Sequence, residues 1–256
     1  MDVNLLALNL GNSRLSVGTF VSGELRGVER IEHAQRAEWP ALIARAWKPL
    51  AGVSAAVAGA EVNPELVSPL EQAVADATGL QIQWIGRDLE LPLANLTRRP
   101  AQTGVDRLVN VTAAFEQMQK ACVVVDAGTA ITVDCCSDDG AFVGGAILPG
   151  LAMQLAALHE RTSSLPLVAA EPPRGAIGDS TEQAILHGVF HGIRGAVKEL
   201  AERYATELGA WPEIIATGGD AESLFGGWDL IHAIVPDLTL YGIALTYAER
   251  HIKSGT

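Results

Sequence analysis

Three short polar segments of this 256-residue chain carry residue types suited to phosphate and hydroxyl chemistry. The first is Asn9-Leu10-Gly11-Asn12-Ser13, set between two apolar runs. A turn of this kind aims several backbone N–H groups at one point, and such a concave array binds phosphate oxygens. Gly11 lets the backbone come close, while Asn12 and Ser13 add side-chain donors. The same residues also suit a plain hairpin turn. The second segment, Asp126-Ala127-Gly128-Thr129-Ala130, directly follows three valines. Asp126 is therefore expected at the carboxyl end of a buried strand, where ligands of α/β sheets bind. Its carboxylate suits a cation and Thr129 a phosphate; a structural turn is the alternative. The third segment, Gly104-Val105-Asp106-Arg107, opens an expected helix over 108–115. Asp106 has the chemistry to take a proton from an attacking hydroxyl. The planar fork of Arg107 suits a carboxylate or phosphate. An acidic residue in a first helical turn is equally an ordinary cap.

Further glycine-rich joints accompany these. Gly144-Gly145-Ala146-Ile147-Leu148-Pro149-Gly150 joins an expected strand to a helix, with Pro149 suited to the helix start. Gly178-Asp179-Ser180-Thr181 precedes a long helical pattern, whose free N–H groups and hydroxyls can meet an anion or simply cap. Thr217-Gly218-Gly219-Asp220 ends a strand, where a base or ribose can rest against backbone. His187 and His191 stand one helical turn apart without the Glu of a zinc motif, and read as structural.

The elements that must hold these segments fall into two similar series. Apolar runs predict strands at 5–8, 15–20 and 25–31, then a helix led by Pro40, strands at 53–58 and 80–85, and a helix over 64–77 between them. The second series has strands at 122–125, 131–135 and 141–147, a helix from Pro149, a long helix over 180–208, a strand at 214–216 and a final helix over 239–251. Strand, polar glycine turn, strand, glycine turn, strand, helix thus occurs twice, which points to duplicated domains. Hairpins followed by crossovers predict an α/β fold with mixed sheets flanked by helices. A duplicated ribonuclease-H-like fold of the actin and sugar-kinase superfamily fits this order. The halves are 1–117 and 118–256, with the active cleft expected between them.

Composition limits the partners. The net charge of -12 argues against nucleic-acid or anionic-membrane surfaces, which need basic patches. Hydrophobic residues at 48% and charged residues at 19% suit a packed globular core. The N-terminus lacks a basic region before a long apolar stretch, and no run of about 18 apolar residues occurs. A cytoplasmic protein without signal peptide or membrane span is expected. Cys122, Cys135 and Cys136 have no zinc spacing and read as reduced core thiols.

Taken in order, these motifs resemble the type III pantothenate kinases, relatives of the Bvg accessory factors. The resemblance spans nearly the whole chain. It runs from the Gly-Asn-Ser turn through Gly-Val-Asp-Arg, Asp-Ala-Gly-Thr-Ala and Gly-Gly-Ala-Ile-Leu-Pro-Gly to Thr162 with Leu165-Pro166, Gly178 with Thr181, Thr217-Gly218-Gly219 and Leu238-Thr239-Leu240-Tyr241-Gly242. It implies transfer of the ATP γ-phosphate to pantothenate, giving 4'-phosphopantothenate at the entry to coenzyme A biosynthesis. It further implies Asp106 as general base. Gly104, Val105, Asp106 and Arg107 would line the substrate site, with Arg107 on the pantothenate carboxylate. Asn9, Leu10, Gly11, Asn12, Ser13, Arg14, Leu15, Ser16 and Thr129 would bind ATP phosphates. Asp126 would hold a monovalent cation (K+ or NH4+), and Mg2+ would accompany ATP. Thr181 would meet substrate across a homodimer whose active sites are shared between subunits. Two residues depart from the family pattern. Asn9 stands where the family usually has Asp, and Thr97 aligns nearest to a substrate-contacting Tyr. Asn9 keeps an acceptor oxygen but not the charge that attracts a metal. The alternative it raises is a non-catalytic nucleotide-binding homologue with a regulatory role.

Overall fold

A computed structural model describes residues 3–254, with side chains to residue 250. The chain packs as two units, one of 1–94, 98–113 and 238–256, the other of 95–97 and 114–237.

In the first unit, β1 (Leu5–Leu10), β2 (Arg14–Val21) and β3 (Glu24–Glu32) form an antiparallel meander. The β2–β3 connection turns at Ser22 and Gly23, both with positive φ, as a tight hairpin with right-handed strand twist demands. Two crossovers, carrying α1 (Trp39–Trp47) and α2 (Val67–Thr78), lead to β4 (Ala56–Glu61) and β5 (Ile82–Trp84), both parallel to β1. The strand order is β3-β2-β1-β4-β5. β1 is apolar on both faces, so both must be covered. Leu6, Leu8 and Leu10 pack with Leu42, Ile43, Leu70 and Val74 of α1 and α2. Leu5 and Ala7 pack with Val109 of α3 (Val105–Met118) and with Leu240, Ile243 and Ala244 of α7 (Leu238–Ser254).

The second unit repeats this scheme with β6 (Cys122–Ala127), β7 (Ala130–Cys136), β8 (Phe142–Pro149), β9 (Glu213–Thr217) and β10 (Ala233–Ile234). Its order is β10-β9-β6-β7-β8. β6, β7 and β8 are antiparallel neighbours, while β9 runs parallel to β6 and β10 parallel to β9. Strand for strand this is the first sheet again, so a mixed α/β sheet of ribonuclease-H-like order occurs twice. Val123, Val125, Ile131 and Val133 pack on Leu151 and Leu155 of α4 (Leu151–Glu160) and on Leu186, Phe190, Ile193 and Val197 of α5 (Thr181–Leu208). α6 (Ala221–Phe225) adds Leu224 and Phe225. Ser180 caps α5 by accepting the Gln183 N–H at 3.2 Å, and Gly209 at φ 71° ends it in the left-handed conformation that a Cβ disfavours.

Some elements shift from their expected bounds. β4 starts at Ala56, not 53: Val53 is exposed and follows Gly52 at φ 87°, so a turn takes the first residues of the apolar run. α3 starts at Val105, placing Asp106 and Arg107 inside its first turn. Cys122, Cys135 and Cys136 are free and buried. Among the described residues, no helix is long and apolar enough to cross a membrane.

Candidate active site

The β1–β2 turn is closed by the Gly11 N–H donating to the Arg14 carbonyl at 3.1 Å. Leu10 and Leu15 face each other across the ladder and bury their side chains fully, so only their backbone is available to a ligand. Ser16 is buried too, whereas Asn12 and Ser13 at the tip are exposed. Directly after β3, the His33 N–H donates to Ser13 O at 3.0 Å, and His33 Nε2 lies 2.8 Å from Gly11 O. Beneath the tip, Asn9 Oδ1 is buried without a hydrogen-bond partner. On the adjacent parallel strand, where Glu61 pairs with Leu10, the Glu61 Oε2 is also buried and partnerless. A buried oxygen acceptor with no donor is destabilising unless a cation or its water meets it. By register Asn9 shares a face of the sheet with Ala60, and Glu61 shares the opposite face with Leu10, so the two oxygens are separate features of neighbouring strand ends.

Asp106 lies in the first turn of α3, where the helix dipole favours an acid. Its Oδ1 accepts the Arg107 N–H at 2.8 Å. Burial pushes its carboxyl pKa above the usual Asp value, against the opposing hydrogen bond and charge of Arg107. A carboxylate so raised is a stronger base toward a hydroxyl proton. A Cβ at Gly104 would stand 2.6 Å from Asp106 Oδ1, so a larger residue there would displace the carboxylate.

In the second unit Asp126 comes one residue before the end of β6, as expected, and is partly buried. Gly218 follows β9 at φ 96°, and a Cβ on it would lie 2.5 Å from Asp126 Oδ1 and would also strike the Ala127 carbonyl. The glycine thus keeps any side chain off these two oxygens, and the Ala127 carbonyl accepts the Asp220 N–H at 3.0 Å. Gly150 presses against the Gly128 and Thr129 carbonyls, and its N–H donates to Thr129 O at 3.2 Å. Asp126, Thr129, Gly150 and Gly218 are therefore brought together. Thr181 is the exposed first residue of α5, and Gly178 packs tightly on Ala184. Thr97 donates its hydroxyl to Asn95 Oδ1 at 2.8 Å, a local turn bond. Sequence reading missed His33 and Glu61. A single histidine after a strand belongs to no motif, and Glu61 gave only the faint signal of a carboxylate ending a run of small residues.

Comparison with known proteins fits this geometry. A Baf-family protein of Campylobacter jejuni, assigned as a transcriptional activator, superposes with a TM-score of 0.62 at 24% identity, over 96% of this chain and 99% of that one. MreB 5 of Spiroplasma citri, solved with AMPPNP, superposes at 0.50 with 11% identity over the full length of both. The duplicated mixed sheet with a glycine turn after each first strand is a fold shared with these two structures. The model of the type III pantothenate kinases matches residues 5–203. The type III pantothenate kinase of Anaeromyxobacter sp. (strain Fw109-5) is 34% identical over 95% of this chain and 98% of its own. That of Dehalococcoides mccartyi (strain 195) is 32% identical over 96% and 98%. The chain belongs to the type III pantothenate kinase family.

Proposed function

We propose that this chain is a working pantothenate kinase, transferring the ATP γ-phosphate to the pantothenate hydroxyl to give 4'-phosphopantothenate and ADP. The observation that carries the reading is Asp106: a carboxylate held by the Arg107 N–H, raised in basicity by burial, at the start of a helix. As the alcohol oxygen bonds to the γ-phosphorus, Asp106 accepts its proton and the bond from that phosphorus to the β-bridging oxygen breaks. Arg107 and Gly104 flank the acid and suit the carboxylate end of pantothenate. Phosphoryl transfer asks a protein chiefly for positioning and charge stabilisation. The turn from Asn9 to Ser16 and the Thr129 hydroxyl are assigned to the ATP phosphates. Asn9, whose Oδ1 is buried and partnerless, is the residue that would help hold Mg2+, and the ion would supply positive charge to the triphosphate. Asp126 is assigned to a monovalent cation, K+ or NH4+. Thr181 and Thr97 are assigned to substrate, Thr181 from the second subunit of a homodimer working in the cytoplasm. The matching strand orders support an origin by duplication of halves 1–117 and 118–256.

Asp106 and Arg107 stand intact, which favours catalysis over a regulatory role without turnover. The test is a coupled ADP-release assay with Mg2+, in the presence and absence of K+. Pantothenate-dependent turnover is expected. Nucleotide binding without turnover would reverse the assignment, and turnover of only another hydroxy acid would change the substrate.

A further inference from the structure

We propose that His33 is a positioning residue of the phosphate-binding turn, setting the direction in which the Asn12 N–H points; the proposal rests on the assignment of ATP phosphates to residues 9–16. A carbonyl oxygen only accepts, so the His33 ring nitrogen 2.8 Å from Gly11 O must donate, and Nε2 carries the proton. The Nδ1 is buried with no partner. The ring packs edge-on against Trp39 with 5.8 Å between centroids, in the core beneath α1, which limits its freedom to turn away.

The consequence follows from the trans peptide. Gly11 C=O and Asn12 N–H belong to one planar unit and point in opposite directions. Fixing the oxygen toward His33 turns the Asn12 N–H to the far side of the loop, where Asn12 itself is exposed. No hydrogen bond within the described residues takes up that N–H, whereas the Gly11 N–H is already spent on Arg14 O. A donor polarised through its own peptide by a bond to the carbonyl is a stronger donor toward an anion. The His33 main chain also ties down the Ser13–Arg14 peptide, two units further on, through its N–H to Ser13 O at 3.0 Å. One residue therefore anchors two carbonyls of the turn, those of Gly11 and Ser13, on either side of Asn12.

The experiment compares wild type, His33→Leu and His33→Gln at saturating pantothenate, with thermal denaturation of each. Leucine fills the space without a donor, while glutamine can present an N–H to Gly11 O. In His33→Leu, KM for ATP is expected to rise about fivefold to tenfold, the loss typical of one hydrogen bond. KM for pantothenate should stay within about twofold, and glutamine should restore most of the loss. Equal KM for ATP in wild type and His33→Leu overturns the proposal, and so does a loss in both variants that tracks only their Tm. Nitrogen-15 spectra of the unmodified protein give an independent readout. His33 should be the Nε2–H tautomer, and the Asn12 amide should shift on adding ATP with Mg2+ but not on adding pantothenate. The opposite tautomer removes the proposal alone. If the Asn12 amide shifts while His33→Leu binds ATP normally, the phosphate assignment stands and the role of His33 falls. If no amide in 9–16 shifts with ATP, both fall.

Discussion

Replacing Asp106 by Asn separates chemistry from folding. The Asn side chain has nearly the same shape, and its Oδ1 can keep the 2.8 Å bond from the Arg107 N–H. Only the proton acceptor is lost. General-base catalysis contributes roughly 10²–10⁴ in rate, so kcat should fall by that factor, or about 3–5 kcal/mol of barrier. The effect on stability has the opposite sign. Burial raises the Asp106 pKa in the folded state above its unfolded value. The native protein therefore holds the proton over the interval between the two values, and stability falls as pH rises through that interval. Above it the full penalty of a desolvated charge persists. At pH 7 Asp106→Asn should thus show a higher Tm than wild type. The gap should close on acidification to about pH 3, below the ordinary carboxylate range, where both side chains are neutral. The assays are ADP release with saturating substrates and calorimetry across that pH range. A variant with kcat within tenfold of wild type refutes the base assignment. A variant less stable at pH 7, or a gap that widens toward acid, refutes the account of burial.

Other expectations follow from the same geometry. Asn9→Asp places a charge where Oδ1 is buried and partnerless, so the apo protein should lose Tm, while Mg2+ with ATP should restore it and activate at lower Mg2+ concentration; unchanged Mg2+ dependence counts against a metal at Asn9. Gly218→Ala forces a Cβ onto Asp126 Oδ1 at φ 96°. It should cost about 1–3 kcal/mol, read as a Tm drop of roughly 2–10 °C, and should weaken ATP binding measured by calorimetry. Asp126→Asn should abolish activation by K+ while sparing the fold by circular dichroism; retained K+ activation would move the cation elsewhere. Ser180→Ala removes the cap on Gln183 N and should cost about 1 kcal/mol in urea denaturation.

Much of this architecture was readable in residue patterns. Alternating apolar residues flanking Asn9–Ser13 and Asp126–Ala130 announce hairpins, and their recurrence in the same order announces the duplicated sheet. Asp126 after three valines had to end a buried strand. Other features depend on tertiary contacts that leave no local trace. The run through Val53 to Ala58 is interrupted only by Ser54, so packing decides that the strand begins at Ala56. β10 has two residues and α6 five, too short for any periodicity. His33 acquires its role solely because antiparallel pairing brings the end of β3 beside the β1–β2 turn. The partnerless Glu61 oxygen is likewise a product of register between strands more than fifty residues apart.

The last helix bears on how the chain is made. Leu240, Ile243 and Ala244 seal the face of the first sheet that carries Leu5 and Ala7, and Gly242 is in such close approach to the Val109 carbonyl that no larger residue fits there. The strands of the first sheet leave the ribosome well before α7, and that face is dry only once α7 has docked. Until then they present an apolar surface to solvent, a natural target for holdase chaperones. A bulky insertion just before Leu238 would delay this closing step.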